Sequence, residues 1–207
     1  MAINRIILIG AGGHARVVFD ALIAGGTLPD TVTVRDARGG GEVLMHRAVA
    51  PEIDETIDGS LFHVAIGNAQ ARARLSAAAG LNGGRALTIV HPRATVSPYA
   101  VLGLGVFVAA GAIVGPGATI GDGAIVNHNA VVDHDCAVGD FAHIAPHATL
   151  GGGAMVGTLT LVGAGGVVLP GVTVGPATII GAGSVVTRDV SGGQWVGSPA
   201  RNMESEQ

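Results

Sequence analysis

The chain has 207 residues, the size of one large domain or two small ones. Hydrophobic residues make up 48% and charged residues only 13%, which excludes a chain held unfolded by high charge and low hydrophobicity. The net charge of −4 argues against a nucleic-acid binder, because neutralising phosphates needs a basic surface.

Glycine fills 35 positions but does not recur every third residue, so the chain is not collagen-like. Aromatics are 3%, so the core is aliphatic and built from small side chains. The lone cysteine, Cys136, has no internal disulfide partner and fits a reducing compartment. It behaves as a small hydrophobe. The first ten residues lack the pattern of a signal peptide, and no apolar run reaches the ~18 residues of a membrane span. The expectation is a cytoplasmic protein without membrane insertion.

Ile6-Ile7-Leu8-Ile9 is an unbroken apolar run, as in a strand buried on both faces. Gly10-Ala11-Gly12-Gly13 breaks it. Val17, Val18, Ala21 and Leu22 then recur at helical spacing within His14 to Ala24. Thr31 to Val34 reads as a second strand, and Phe62 to Ile66 as a third, stopped by Gly67-Asn68. Gln70 to Ala79 is rich in alanine and arginine and reads as a helix. This order implies an α/β domain over residues 1–90 with a mostly parallel sheet, a Rossmann-like half domain. Residues 38–58 carry no assignable pattern.

A different period rules from Ala94 onward. Every sixth residue from Val96 through Val186 is Val, Ile or Leu, sixteen positions without a slip. These types fill about a quarter of the chain, so chance gives such a run on the order of once in 10⁹ per register. Glycine often follows each aliphatic, and two residues before it stands a small side chain such as Ala112, Ala130 or Cys136. A six-residue repeat is the mark of a parallel β-helix. Three hexads make one triangular coil, with the aliphatic and small residues filling the interior. Glycine after the aliphatic is expected to supply positive φ in the turn. The β-helix is assigned to residues 91–190, with a tail at 191–207.

Four of the eight histidines, His128, His134, His143 and His147, lie within twenty residues of the repeat. His134 is flanked by Asp133 and Asp135. A carboxylate on one ring nitrogen fixes the tautomer and makes the other a better base. Either aspartate is a rival for that place. Asn127, one hexad earlier, is a further candidate for orienting a substrate. Gly10-Ala11-Gly12-Gly13-His14-Ala15 forms a G-x-G-x-x-A pattern between strand and helix, which suits a phosphate at a helix N-terminus.

The hexad repeat resembles the bacterial sugar O- and N-acyltransferases. Gly197-Ser198-Pro199-Ala200-Arg201, the opening Ile7 to Ala15, Val64-Ala65-Ile66-Gly67-Asn68 and His91-Pro92 share the resemblance. That family includes sialic acid O-acetyltransferases and N-acetyltransferases of nucleotide-linked 4-amino-4,6-dideoxy sugars. The resemblance implies an α/β half domain followed by a left-handed parallel β-helix, a homotrimer with sites between subunits, acetyl-CoA as co-substrate and no metal. It implies His134 as general base, with Asp135 raising its basicity. It matches His143, Gly152, Ala164 and Ala182 to acetyl-CoA contacts, with the Gly152 amide facing the thioester carbonyl. It matches Gly12, Gly13, His14, Arg35, Asp36 and Gly67 to nucleotide-sugar contacts, although relatives usually carry an acidic residue where Arg35 stands.

The expected activity is N-acetylation of a nucleotide-linked amino-deoxy sugar for surface glycan (O-antigen) synthesis, with O-acetylation of a sialic-acid-type sugar as the alternative. Two readings of other classes remain open. One is a zinc lyase of the β-helix carbonic anhydrase kind, to which the four histidines invite comparison. The other is a scaffold that binds a nucleotide-sugar without chemistry.

Overall fold

The computed structural model describes residues 5–37, 43–45, 47–51, 57 and 59–203. Strand β1 (Ile6–Ile9) is buried along its whole length and runs through the middle of a six-stranded sheet. Helix α1 (Gly13–Ala24) follows, then β2 (Val32–Arg35), β3 (Val43–Leu44), β4 (Arg47–Ala50), β5 (Leu61–Val64), α2 (Ala69–Leu81) and β6 (Arg85–Ala86). The sheet order is β3-β4-β2-β1-β5-β6. All neighbours are parallel except the β3–β4 hairpin. That hairpin lies in the stretch 38–58 whose pattern was unassignable, and most of the remainder of the stretch lies outside the described residues. The strand expected at 62–66 starts one residue earlier and ends at Val64.

Helix α2 is capped by Asn68, whose side-chain oxygen accepts the Ala71 amide at 2.9 Å. Among its residues only Arg72 and Ala79 are buried. No hydrophobic stripe announces this helix, and its one large buried side chain is an arginine.

Two-residue strands then recur every six residues from Ile89–Val90 to Val185–Val186. They stack in parallel with an 18-residue register, as in Ile89↔Phe107, Phe107↔Ile125 and Ile125↔His143. Three sheets form the three faces of a prism. The first coil strand lies one hexad before Val96. Gln194–Val196 and Arg201–Asn202 extend the first face and close its far end. The second residue of nearly every strand points inward, and Val108, Val126, Val132, Ile144, Leu150 and Val162 are fully buried. The small residues Ala112, Ala118, Ala124, Ala130, Cys136 and Ala142 fill the rest of the interior. The structure is thus an α/β domain followed by a left-handed parallel β-helix. Among the described residues no helix is long and apolar enough to cross a membrane.

The turns correct one expectation. They carry an i to i+3 hydrogen bond, as from the Ala112 amide to the Ala109 carbonyl at 3.2 Å. Positive φ falls at the third turn residue, two positions beyond the glycine that follows the aliphatic. That is the pattern of a type II turn. The position is held by Gly111 and Gly117, but also by Asn129, Asp135 and His147. The glycine directly after the aliphatic is there for space. A Cβ on Gly121 would stand 2.6 Å from the Asp140 amide nitrogen of the next coil.

The two domains share a core. Outward-facing Phe107 and Ile125 on the first prism face pack with Leu8, Val18, Leu22 and Ala65 of the α/β domain. This contact brings the loop after β1, the loop after β5 and the first prism face to one place.

Candidate active site

The sequence-derived candidates fall into three groups in space. The first surrounds a cavity of about 340 Å³ lined by Gly10, Gly12, Gly13, His14, Asp36, Ala65, Ile66 and Gly67. Gly10 has φ +114, and a Cβ there would press on the Ala65 carbonyl at 2.9 Å. Gly12 and Gly13 meet nothing within 4 Å of an added Cβ, so their backbone faces open space at the start of α1. Asp36 accepts the Ala11 amide at 2.8 Å and holds the glycine loop in place. Arg35 ends β2 but is not among the residues lining the cavity, and its Nε is buried without a hydrogen-bond partner.

His14 and His143 meet beside this cavity, with ring centroids 6.3 Å apart, and His14 also sets its ring edge-on to Phe107 at 5.4 Å. The His14 Nε2 is buried with no partner. Burial, then the neighbouring His143, His63 and Arg72, push its pKa down to about 3. Burial and Arg72 push His143 down to about 4, against the opposing pull of the Gly67 carbonyl. Both rings are therefore neutral at pH 7.

The tautomer of His143 follows from its neighbours. The Asn127 side-chain oxygen accepts the His128 amide at 2.8 Å. The Asn127 amide nitrogen consequently turns to His143 Nε2, 3.0 Å away, and donates to it. Nε2 is then an acceptor, and the ring proton sits on Nδ1. His63 lies deeper, donating from Nδ1 to the Leu87 carbonyl at 2.9 Å, and burial drives its pKa down to about 4. Neither His63 nor Arg72 stands out in the sequence, because each sits alone in an otherwise ordinary strand or helix.

The second group stands on the edge between the second and third faces of the prism. His134 and Asp135 are the two central residues of the turn that follows Val131–Val132. Asp135 takes the positive-φ position (φ 59), which aspartate tolerates better than most residues. There its Oδ2 lies 2.9 Å from His134 Nδ1. Asp133 accepts the His134 backbone amide at 2.7 Å. The two aspartates thus divide the work, Asp135 holding the ring and Asp133 the backbone. A carboxylate accepts, so Nδ1 carries the proton and Nε2 is the free base. The Asp135 hydrogen bond, and then the Asp133 charge, raise the His134 pKa above its ordinary 6.5.

One coil further along the chain, Gly152 occupies the matching turn position, and a Cβ on it would collide with His134 Nε2 and Cε1. The imidazole therefore lies directly over a glycine backbone. Cys136 is buried in the interior, donating to the Gly151 carbonyl at 3.2 Å, and burial raises its thiol pKa.

The third group, Ala164 and Ala182, stacks on the edge between the first and second faces, both exposed. The Gly183 amide bonds to the Ala164 carbonyl at 2.8 Å, one coil apart. Within one chain these alanines occupy a different prism edge from His134 and Gly152. Among the described residues no group of three His, Cys, Asp or Glu side chains is arranged to hold a metal ion.

Comparison with known proteins agrees with this architecture. The PglD N-terminal domain family matches residues 5–79, and the bacterial transferase hexapeptide family (six repeats) matches residues 117–152. The structure of perosamine N-acetyltransferase from Caulobacter crescentus, bound to CoA and GDP-perosamine, is 39% identical over 97% of both chains, with a TM-score of 0.90. It has been solved in variants with one histidine replaced by asparagine or by alanine. The acetyltransferase domain of PglB from Neisseria gonorrhoeae, in complex with acetyl coenzyme A, is 36% identical over 97% of this chain and 100% of that one, with a TM-score of 0.88. UDP-N-acetylbacillosamine N-acetyltransferase of Bacillus subtilis is 34% identical over 110 residues, about half the length of each chain (51% of both). The chain belongs to the bacterial sugar O- and N-acyltransferase family.

Proposed function

We propose that this chain transfers an acetyl group from acetyl-CoA to the amino group of a nucleotide-linked amino-deoxy sugar. The observation that carries the reading is the exposed His134 imidazole, with Nδ1 bound to Asp135 and Nε2 free above Gly152. The amine nitrogen attacks the thioester carbon while His134 Nε2 takes its proton. The carbonyl oxygen becomes an oxyanion, for which the Gly152 amide is the donor. Collapse breaks the C–S bond, and the imidazolium returns the proton to the leaving thiolate. Amide and free CoA thiol leave, with no covalent enzyme intermediate.

The α/β domain holds the nucleotide-sugar. Its cavity offers the Gly12 and Gly13 backbone and His14 to the phosphates and sugar, with Asp36 and Gly67 at its wall. Arg35 completes this set only with a side-chain movement toward the cavity. His143, Ala164 and Ala182 line the path of CoA along the β-helix (91–190), where small residues leave a flat wall for the pantetheine arm.

The two prism edges support a homotrimer. One edge presents the base and the other the flat wall, so a neighbouring copy brings them across one cleft. A cytoplasmic step in making a surface glycan of the O-antigen type is the setting that fits.

The test is release of CoA thiol from acetyl-CoA with a panel of GDP-, UDP- and dTDP-linked 4-amino sugars, beside sialic acid. Thiol release with an amide product supports the reading. An ester product from sialic acid alone, or no release with any acceptor, overturns it.

A further inference from the structure

Arg72 is nearly inaccessible, at 1% exposure, and among the described residues no carboxylate is its hydrogen-bond partner. Its partners are five backbone carbonyls. Nε donates to Gly123 at 2.7 Å. One terminal nitrogen, Nη1, donates to Ile66 at 2.8 Å and Gly67 at 2.9 Å. The other, Nη2, donates to Phe141 at 2.5 Å and Ala142 at 3.4 Å. A guanidinium has five N–H donors in a planar fork, and here every one is used.

The carbonyls belong to two different domains. Ile66 and Gly67 form the loop after β5 that walls the cavity beside α1. Gly123, Phe141 and Ala142 belong to two successive turns of the β-helix, and Ala142 directly precedes His143. The Gly67 carbonyl also lies close enough to the His143 ring to pull its pKa upward. The carbonyl that Arg72 holds thus also acts on the histidine assigned to CoA.

An arginine in the first turn of a helix is placed against the helix dipole and, on composition alone, belongs on the surface. Its burial here is answered by five carbonyl acceptors at the junction of the two domains, with no charge partner among the described residues.

We propose that Arg72 is a positioning residue for acyl transfer. It clamps the nucleotide-sugar loop Ile66–Gly67 to the β-helix turn that carries His143, and so sets the two substrate sites relative to each other. This rests on the acetyltransferase reading above. Arg72 touches neither substrate in this scheme; it acts through Gly67 and His143.

Arg72→Lys keeps the charge but offers three donors without the planar fork. Arg72→Met removes both charge and donors. The expected result for the lysine variant is a folded, cooperatively melting protein in which the KM values for acetyl-CoA and for the nucleotide-linked sugar rise together, each by about tenfold or more. Backbone amide exchange should quicken at residues 66–68, 123–124 and 141–143 and nowhere else in the β-helix. A purely stabilising arginine would lower the melting temperature and the active fraction while leaving both KM values at the parent's. That outcome in the lysine variant overturns the proposal, even where the methionine variant does not fold.

The functional reading is judged separately, by turnover of the parent. A parent without turnover sinks that reading, and the clamp is then decided by the exchange measurement. Unchanged exchange at 66–68, 123–124 and 141–143 in the lysine variant overturns it.

Discussion

At the scale of single residues, the site turns on how one imidazole is held. Asp135 has a backbone conformation that leaves its carboxylate beside the preceding ring, and Asp133 secures the backbone of the same histidine. His134 is more than half exposed, at 58% of its side chain, so little packing depends on it. His134→Ala is expected to lower kcat by about 10²-fold or more, the usual worth of a general base, with an unchanged circular dichroism spectrum and melting temperature. Activity retained at a few per cent or above would show the wrong base has been chosen.

Asp135→Asn makes a finer test, since asparagine also tolerates positive φ. Neutral imidazole is the active form, so kcat/KM rises with pH through the His134 pKa, which lies above 6.5 in the parent. Removing the carboxylate lowers that pKa. The acid limb of the pH profile should move to lower pH while the plateau falls, because a less basic nitrogen takes the proton less well. An acid limb that stays in place would mean that Asp135 does not act on the ring.

At the scale of the repeat, each hexad carries two separate demands on small residues. One is conformational and falls at the positive-φ turn position. The other is spatial and falls at the glycine after the inward aliphatic, where the next coil's backbone passes close. Gly121→Ala illustrates the second, because its Cβ would sit 2.6 Å from a backbone nitrogen that cannot swing aside. Overpacking of this kind costs about 1–3 kcal/mol, or a melting temperature lower by several degrees. Gly153→Ala, with open space at its Cβ and φ +69, should suffer only the conformational cost, about 1 kcal/mol. Equal melting temperatures for the two variants would contradict this division. The regular aliphatic period made the coil legible from the sequence, because burying one residue in six is a strong and repeated constraint. The role of the following glycine was not legible, since a clash with a residue nineteen positions on exists only once the coils stack.

At the scale of the whole molecule, the junction between the domains stores a pH dependence. His14, His63 and His143 are held neutral there, with pKa values near 3, 4 and 4 against an ordinary 6.5. The unfolded chain takes up these protons first as pH falls. Stability is therefore complete above pH 6.5 and is lost progressively as pH drops toward 4. Each histidine contributes up to about 1.4 kcal/mol per pH unit in that window. Melting temperatures measured from pH 7.5 to pH 5 should fall steadily, and a flat profile would show that these rings are solvated in the folded protein.

Much of the architecture was already readable in the order of residues. The parallel α/β sheet, the hexad period, and the pairing of His134 with a flanking acid all depend on interactions between near neighbours or on a repeat that every coil must satisfy. Tertiary structure alone placed His14 against His143, kept Arg35 out of the cavity and buried Arg72 between two domains. Those outcomes depend on contacts between segments far apart in the chain. Arg72 and the Phe141 carbonyl are 69 residues apart, and only folding brings such groups within reach. The division is physical: local period and turn chemistry repeat along the chain, whereas a junction is made once, by surfaces that meet only when both domains are complete.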